Sequence, residues 1–168
     1  EIKIREEVVF TIFQFTPRAM DLRQIITYQD ITTNLERVGD MLLNIIRFLY
    51  ELDLKQTQYK EAISILSAMT ENVNSMLQKA IISFTNEDSS TAYQILKDDD
   101  VVDKQFREVR DILQNYGGKV LNKDEIYHLL QFNTIAHNLE RIGDSATNIA
   151  ESTIYLAEGK DIRHGNKG

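Results

Sequence analysis

The chain has 168 residues, 42% hydrophobic and 27% charged, with 7 glycines and 1 proline, a balance that excludes a disordered polymer and fits a helix-rich globular fold. Its net charge of −7 excludes a broad nucleic-acid surface, which needs clustered Lys and Arg, and is equally awkward for an anionic membrane. With 0 cysteines there are no disulfides or thiolate metal sites, and no apolar run approaches the ~18 residues of a membrane span.

No signal peptide opens the chain, and a first residue of Glu1 in place of Met implies a start further upstream. The sequence "TPRAMDLR" reads as a helix opening: Thr16 as N-cap, Pro17 at the first helical position, Asp21 near the positive end. Apolar residues then recur at Leu22, Ile25, Ile31, Leu35, Val38, Leu42, Ile46 and Leu49, which predicts one helix to about Leu52. A second stripe, Ile63, Leu66, Met69, Val73, Met76, Leu77 and Ile81, ends around "TNEDSS". A third runs through Ala92, Ile95, Leu96, Val102, Phe106, Val109 and Leu113 and stops at Gly117-Gly118. Asn122 and Glu125 form a capping pair for a last helix. Its stripe is Phe132, Ile135, Leu139, Ile142, Ala146 and Ile149, and Gly159 is its stop. No segment alternates as a strand does, so the fold class is all-α with antiparallel helices joined by short turns.

Two of these helices carry the same words. "NLERVGDMLLNI", from Asn34, returns as "NLERIGDSATNI", from Asn138, with eight of twelve positions identical at an offset of 104. The flanks follow the same offset, pairing Leu22 with Ile126, Ile25 with Leu129 and Ile31 with Ile135. Two structural units of about a hundred residues are implied, the first lacking its opening helix and part of the next.

Glu36 and Asp40, like Glu140 and Asp144, stand four apart and share one helix face. That face lies well away from the apolar stripe, so these carboxylates point outward. Gly39 and Gly143 precede the two aspartates at a cost of about 1 kcal/mol each against alanine, which suggests close approach of a neighbour. Asp99 and Asp103 form a third pair, and Asp99 falls where the stripe of Leu96, Val102 and Phe106 calls for an apolar residue. A carboxylate there needs a partner or solvent. Convergence of Asp99 and Asp103 with Glu140 and Asp144 would make a groove of four oxygens suited to a hard or borderline cation. The plainer reading stays open, since like charges at this spacing cost only about 0.2–0.5 kcal/mol on an exposed helix. Arg37 and Arg141 read as local charge balance. His128, His137 and His164 read as surface or packing residues, and the paired Glu-x-x-His motifs of di-iron bundles are not present. No nucleophile–base pair and no phosphate loop is present, so no catalytic residue is assigned.

The segments "TPRAMDLR", "NLERVGD", "DDVVD", "NLERIGDSATNIAE" and "EGKDIRH" together resemble the PhoU family of bacterial phosphate-uptake regulators, end to end and in order. The resemblance implies a pseudo-symmetric repeat of three-helix bundles with the first incomplete: residues 1–54 the remainder of the first, 55–160 the second, 161–168 a polar tail. It implies metal clusters on the bundle surface, with iron, zinc, nickel, manganese or magnesium as the ions. The ligands carried over are Glu36 and Asp40 in the first bundle and Asp99, Asp103, Glu140 and Asp144 in the second, the second site being the fuller. It further implies a non-enzymatic cytoplasmic regulator, peripheral at the inner face of the membrane, that restrains phosphate import. The implied partners are the ATPase of the phosphate ABC transporter and the phosphate-sensing histidine kinase. Self-association is expected from the half-finished first bundle. Two alternatives stand beside it: the cytosolic PhoU-like domain of a sodium/phosphate cotransporter, and a carboxylate-bridged metalloenzyme.

Overall fold

The computed structural model describes residues 2–52, 57–116 and 121–162. Five α-helices and no strand occur among them: α1 Ile2–Phe15, α2 Ala19–Glu51, α3 Lys60–Thr85, α4 Ser89–Tyr116 and α5 Lys123–Glu158, with a 3-10 turn at Thr57–Tyr59 before α3. The Gly117-Gly118 stop and His164 lie outside the described residues.

Local chemistry sets the helix ends. Asn122 accepts from the Glu125 backbone N–H at 2.9 Å while the Glu125 carboxylate accepts from the Asn122 N–H at 2.9 Å, the reciprocal cap that the sequence predicts for α5. Gly159 closes α5 at φ 71°, a left-handed conformation that costs a residue without Cβ nothing. Asp88 caps α4 through the Thr91 N–H, and its bonds to Thr91 hold its carboxyl below the usual range. The start of α2 differs from the sequence expectation. Thr16 does not cap it: at φ 41° it ends α1, donating its N–H to Ile12, and α2 begins at Ala19 with Arg18 as a cap that makes no side-chain bond.

Helices α3, α4 and α5 make an up-down-up bundle. Asn72 donates to Gln105 at 3.0 Å and Lys79 pairs with Asp98 at 2.7 Å, so α3 and α4 run antiparallel. Tyr93 reaches Glu158 while Phe106 stacks on His137, so α4 and α5 do the same. Met69, Val73 and Met76 of α3, Ile95, Val102 and Val109 of α4, and Phe132, Ile135, Leu139, Ile142, Ala146 and Ile149 of α5 fill one core. Burying each of the larger side chains contributes about 1.5–3 kcal/mol.

The second long helix lies along the far side of α5. Arg23 sits over the Tyr155 ring at 5.3 Å, Asn34 meets Asn148, and Glu51 accepts from the Tyr127 hydroxyl. Those three contacts run in opposite senses along the two helices, so α2 and α5 are antiparallel, as a pseudo-twofold between the repeats requires. Only part of the predicted α2 stripe is used. Ile31 and Val38 are buried together with Met41 and Ile45, whereas Leu35, Leu42, Ile46 and Leu49 are exposed on the face turned from α5. Helix α1 buries nothing, and Val9, Phe10, Phe13 and Phe15 are exposed.

Candidate metal centre

Helix α4 packs across α5 at Gly143. A Cβ built there would stand 3.4 Å from Asp99 Oδ1 and 3.4 Å from Val102 Cγ1, so the bare glycine seats the Asp99 carboxylate directly against α5. The neighbour that the sequence expects at this glycine is therefore Asp99 itself. Its partner in the repeat behaves otherwise: nothing lies within 4 Å of a Cβ at Gly39, which faces open space among the described residues.

Four carboxylates answer one another across this contact. Burial first, and then the neighbouring charges of Asp103, Asp144, Asp100 and Glu140, together raise the Asp99 carboxyl to about 6. Burial likewise raises Asp144, reinforced by Asp103 and opposed by Arg141 and His137. Glu140 is raised by burial and by Asp144, with His137 pulling the other way. Asp99, Asp103, Glu140 and Asp144 thus lie within electrostatic reach of one another where α4 packs on α5. Asp103 also reaches back to Arg107 at 3.9 Å, a loose surface pair.

One member of the groove was not foreseen from sequence. His137 Nδ1 lies 3.3 Å from Glu140 Oε2, and its ring stacks on Phe106 with centroids 6.0 Å apart. The signal was there in reversed order: His137 precedes Glu140 by three, which puts both on one face. Beyond this approach, Glu140 Oε2 is buried without a hydrogen bond among the described residues. His128 is a packing residue, edge-on to Tyr59.

The fit to a cation is one of donor chemistry more than of assembled geometry. Oxygen donors with raised proton affinity and one carboxylate oxygen lacking a hydrogen bond suit a hard or borderline ion. Yet among the described residues no three acidic or histidine side chains are set close enough together to grip a single ion. Glu36 and Asp40 stand apart from this groove, exposed on α2. No described helix is long and apolar enough to cross a membrane.

An all-helical duplicated body with acidic helix faces is the class that this architecture defines. The chain matches the PhoU domain family over residues 1–49 and 66–153 and belongs to it. It is 33% identical over 144 residues to the phosphate-specific transport system accessory protein PhoU homolog of Clostridium acetobutylicum, covering 86% of this chain and 64% of that protein. It is 32% identical to PhoU homolog 1 of Thermotoga maritima over 171 residues, covering 99% of this chain and 70% of that one. The crystal structure of PhoU from Pseudomonas aeruginosa superposes with a TM-score of 0.81 at 32% identity, over 94% of this chain and 74% of its own. The chain therefore spans about two thirds of the length of these curated relatives.

Proposed function

We propose that this chain is a non-enzymatic, metal-binding regulator of phosphate uptake, acting by protein contact at the phosphate transporter and on phosphate-starvation signalling. Asp99, Asp103, Glu140 and Asp144 are the residues that hold the cation. Glu36 and Asp40 form a lesser site on the other repeat. Iron, zinc, nickel, manganese and magnesium all fall within the range of ions for such ligands. Bound there, a cation neutralises carboxylates that otherwise repel one another.

The observation that carries this reading is the seating of Asp99 against Gly143, with its carboxyl raised to about 6 by burial and by acidic neighbours from both helices. A merely solvated acidic face would leave its carboxylates apart in water. The regulatory role rests on family membership, because the relatives are accessory proteins of a phosphate transport system. The proposed partners are the transporter's ATPase and the phosphate-sensing kinase. The exposed apolar side of α1 and α2 is proposed to pair with another helix or a second copy.

Elemental analysis of protein purified without chelator tests the site. The wild type should carry a stoichiometric transition metal or magnesium, and the Asp103→Ala/Asp144→Ala double variant should lose most of it. Equal metal content in the two proteins would remove the assignment.

A further inference from the structure

The repeated twelve-residue block keeps more than its acids. Asn34 and Asn138, Arg37 and Arg141, and Asn44 and Asn148 also recur in frame, and the carboxylate groove leaves Asn34, Arg37 and Asn148 unused. In the structure these three meet. Asn34 and Arg37 of α2, with Asp30 and Thr33, face Asn148 and Ser152 of α5 around a polar pocket of about 240 Å³.

Part of the lining is held in place from within. Asn34 Nδ2 donates to the Asp30 carbonyl at 2.9 Å, and its Oδ1 accepts from Asn148 Nδ2 at 3.4 Å. Thr33 Oγ1 donates to the Gln29 carbonyl at 3.0 Å, which leaves its lone pairs for a visitor. Two groups have no partner among the described residues: the Arg37 guanidinium, and the hydroxyl of Ser152, a residue only 3% exposed.

The two repeats differ at three of the six lining positions, Asp30, Thr33 and Ser152 having Thr134, His137 and Phe48 as counterparts. The 104-residue offset takes Ser152 to Phe48, and Phe48 packs against the core. Where one half has a serine beside the pocket, the other has an aromatic ring packed on the core.

The lining fixes the ligand chemistry. A guanidinium fork, an amide and a hydroxyl converge as donors, the set that recognises a tetrahedral oxyanion. Asp30 adds an acceptor, and a carboxylate offers about four acceptor directions, so it can take a further hydrogen bond whatever else it holds. An anion without a proton would meet that carboxylate as a repelling charge. One that carries a hydroxyl donates to it. At about 240 Å³ the pocket has room for a small oxyanion with its nearest waters.

We infer that this pocket between α2 and α5 binds a small, protonated tetrahedral oxyanion, for which inorganic phosphate is the probe. The site is separate from the carboxylate groove and does not depend on it. Titration calorimetry on chelator-treated protein near neutral pH, with inorganic phosphate and in parallel with sulfate, tests it. Chelation removes recruitment of phosphate by a cation, so failure here leaves the metal proposal standing, and failure there leaves this one standing.

Saturable phosphate binding is expected, with sulfate weaker. Arg37→Gln, at an exposed position, should weaken phosphate by about tenfold or more, because a hydrogen bond to a charged group is lost. Ser152→Phe, which installs the residue of the other half, should abolish binding. Its circular dichroism reports whether it folds, and Arg37→Gln decides the matter if it does not. No saturable binding, sulfate as tight as phosphate, or an Arg37→Gln affinity equal to wild type would each overturn the inference.

Discussion

Replacing Asp99 by asparagine is the sharpest probe of the groove, because it removes a charge while keeping the shape. The Asp99 carboxyl rises from an ordinary 3.8 to about 6 on folding. Below pH 3.8 it is protonated folded and unfolded alike and contributes no pH dependence. Between pH 3.8 and about 6 the unfolded chain gives up the proton before the folded one does, so stability falls as pH rises. Above about 6 the loss is complete. At about 1.4 kcal/mol per pH unit, the full gap corresponds to about 3 kcal/mol, and screening by solvent on the open side of the groove reduces that to about 1–2 kcal/mol. Asp99→Asn should therefore be more stable than wild type by about 1–2 kcal/mol at pH 7.5 and indistinguishable from it at pH 3.5. Urea denaturation with chelator present reads this directly. With a slope of about 2 kcal/mol per molar urea, the midpoint should move by roughly half a molar to one molar. A gain of the same size at both pH values, or none at pH 7.5, would refute the electrostatic account of the site.

The two repeat glycines should respond differently to alanine. Gly39→Ala meets open space and should add about 1 kcal/mol of helix stability, whereas Gly143→Ala presses a methyl against Asp99 and Val102 and should gain clearly less; paired thermal melts check both. Asn122→Ala removes half of the α5 capping box and should cost about 0.5–2 kcal/mol in the same melts. Ile149→Ala, at a fully buried position, should cost about 2–5 kcal/mol, while Leu43→Ala, 62% exposed, should stay within about 0.5 kcal/mol; denaturant midpoints separate the two.

How much of this was legible beforehand depended on the range of the interaction that decides each feature. The α5 cap is settled within four residues, and Asn122 with Glu125 announce it. The all-α class follows from stripes of period 3.6, and every predicted stripe residue of α5 from Phe132 to Ile149 is buried. Asp99, sitting where a hydrophobe belongs, announced its own contact with α5 at Gly143. What was missed involves contacts between distant segments. Nothing local distinguishes Ile31 and Val38, which meet α5, from Leu35 and Leu42, which do not. Thr16 looks like a cap because its left-handed backbone cannot be read from its side chain. His137 is not marked as a partner of Glu140 in the sequence because it precedes that glutamate instead of following it. The pocket beside Ser152 is not legible in the sequence, since its lining comes from two helices that lie far apart along the chain.

Helix α5 has consequences for how a signal can move through the molecule. It lies between α2 on one flank and α3 and α4 on the other, and at 36 residues it is about 54 Å long. A rod packed on both flanks shares its side-chain contacts with three other helices. Glu140 and Asp144 therefore stand on the same unbroken helix as Asn148 and Ser152, about two turns further on, so the two places are joined by one continuous element with no loop between them.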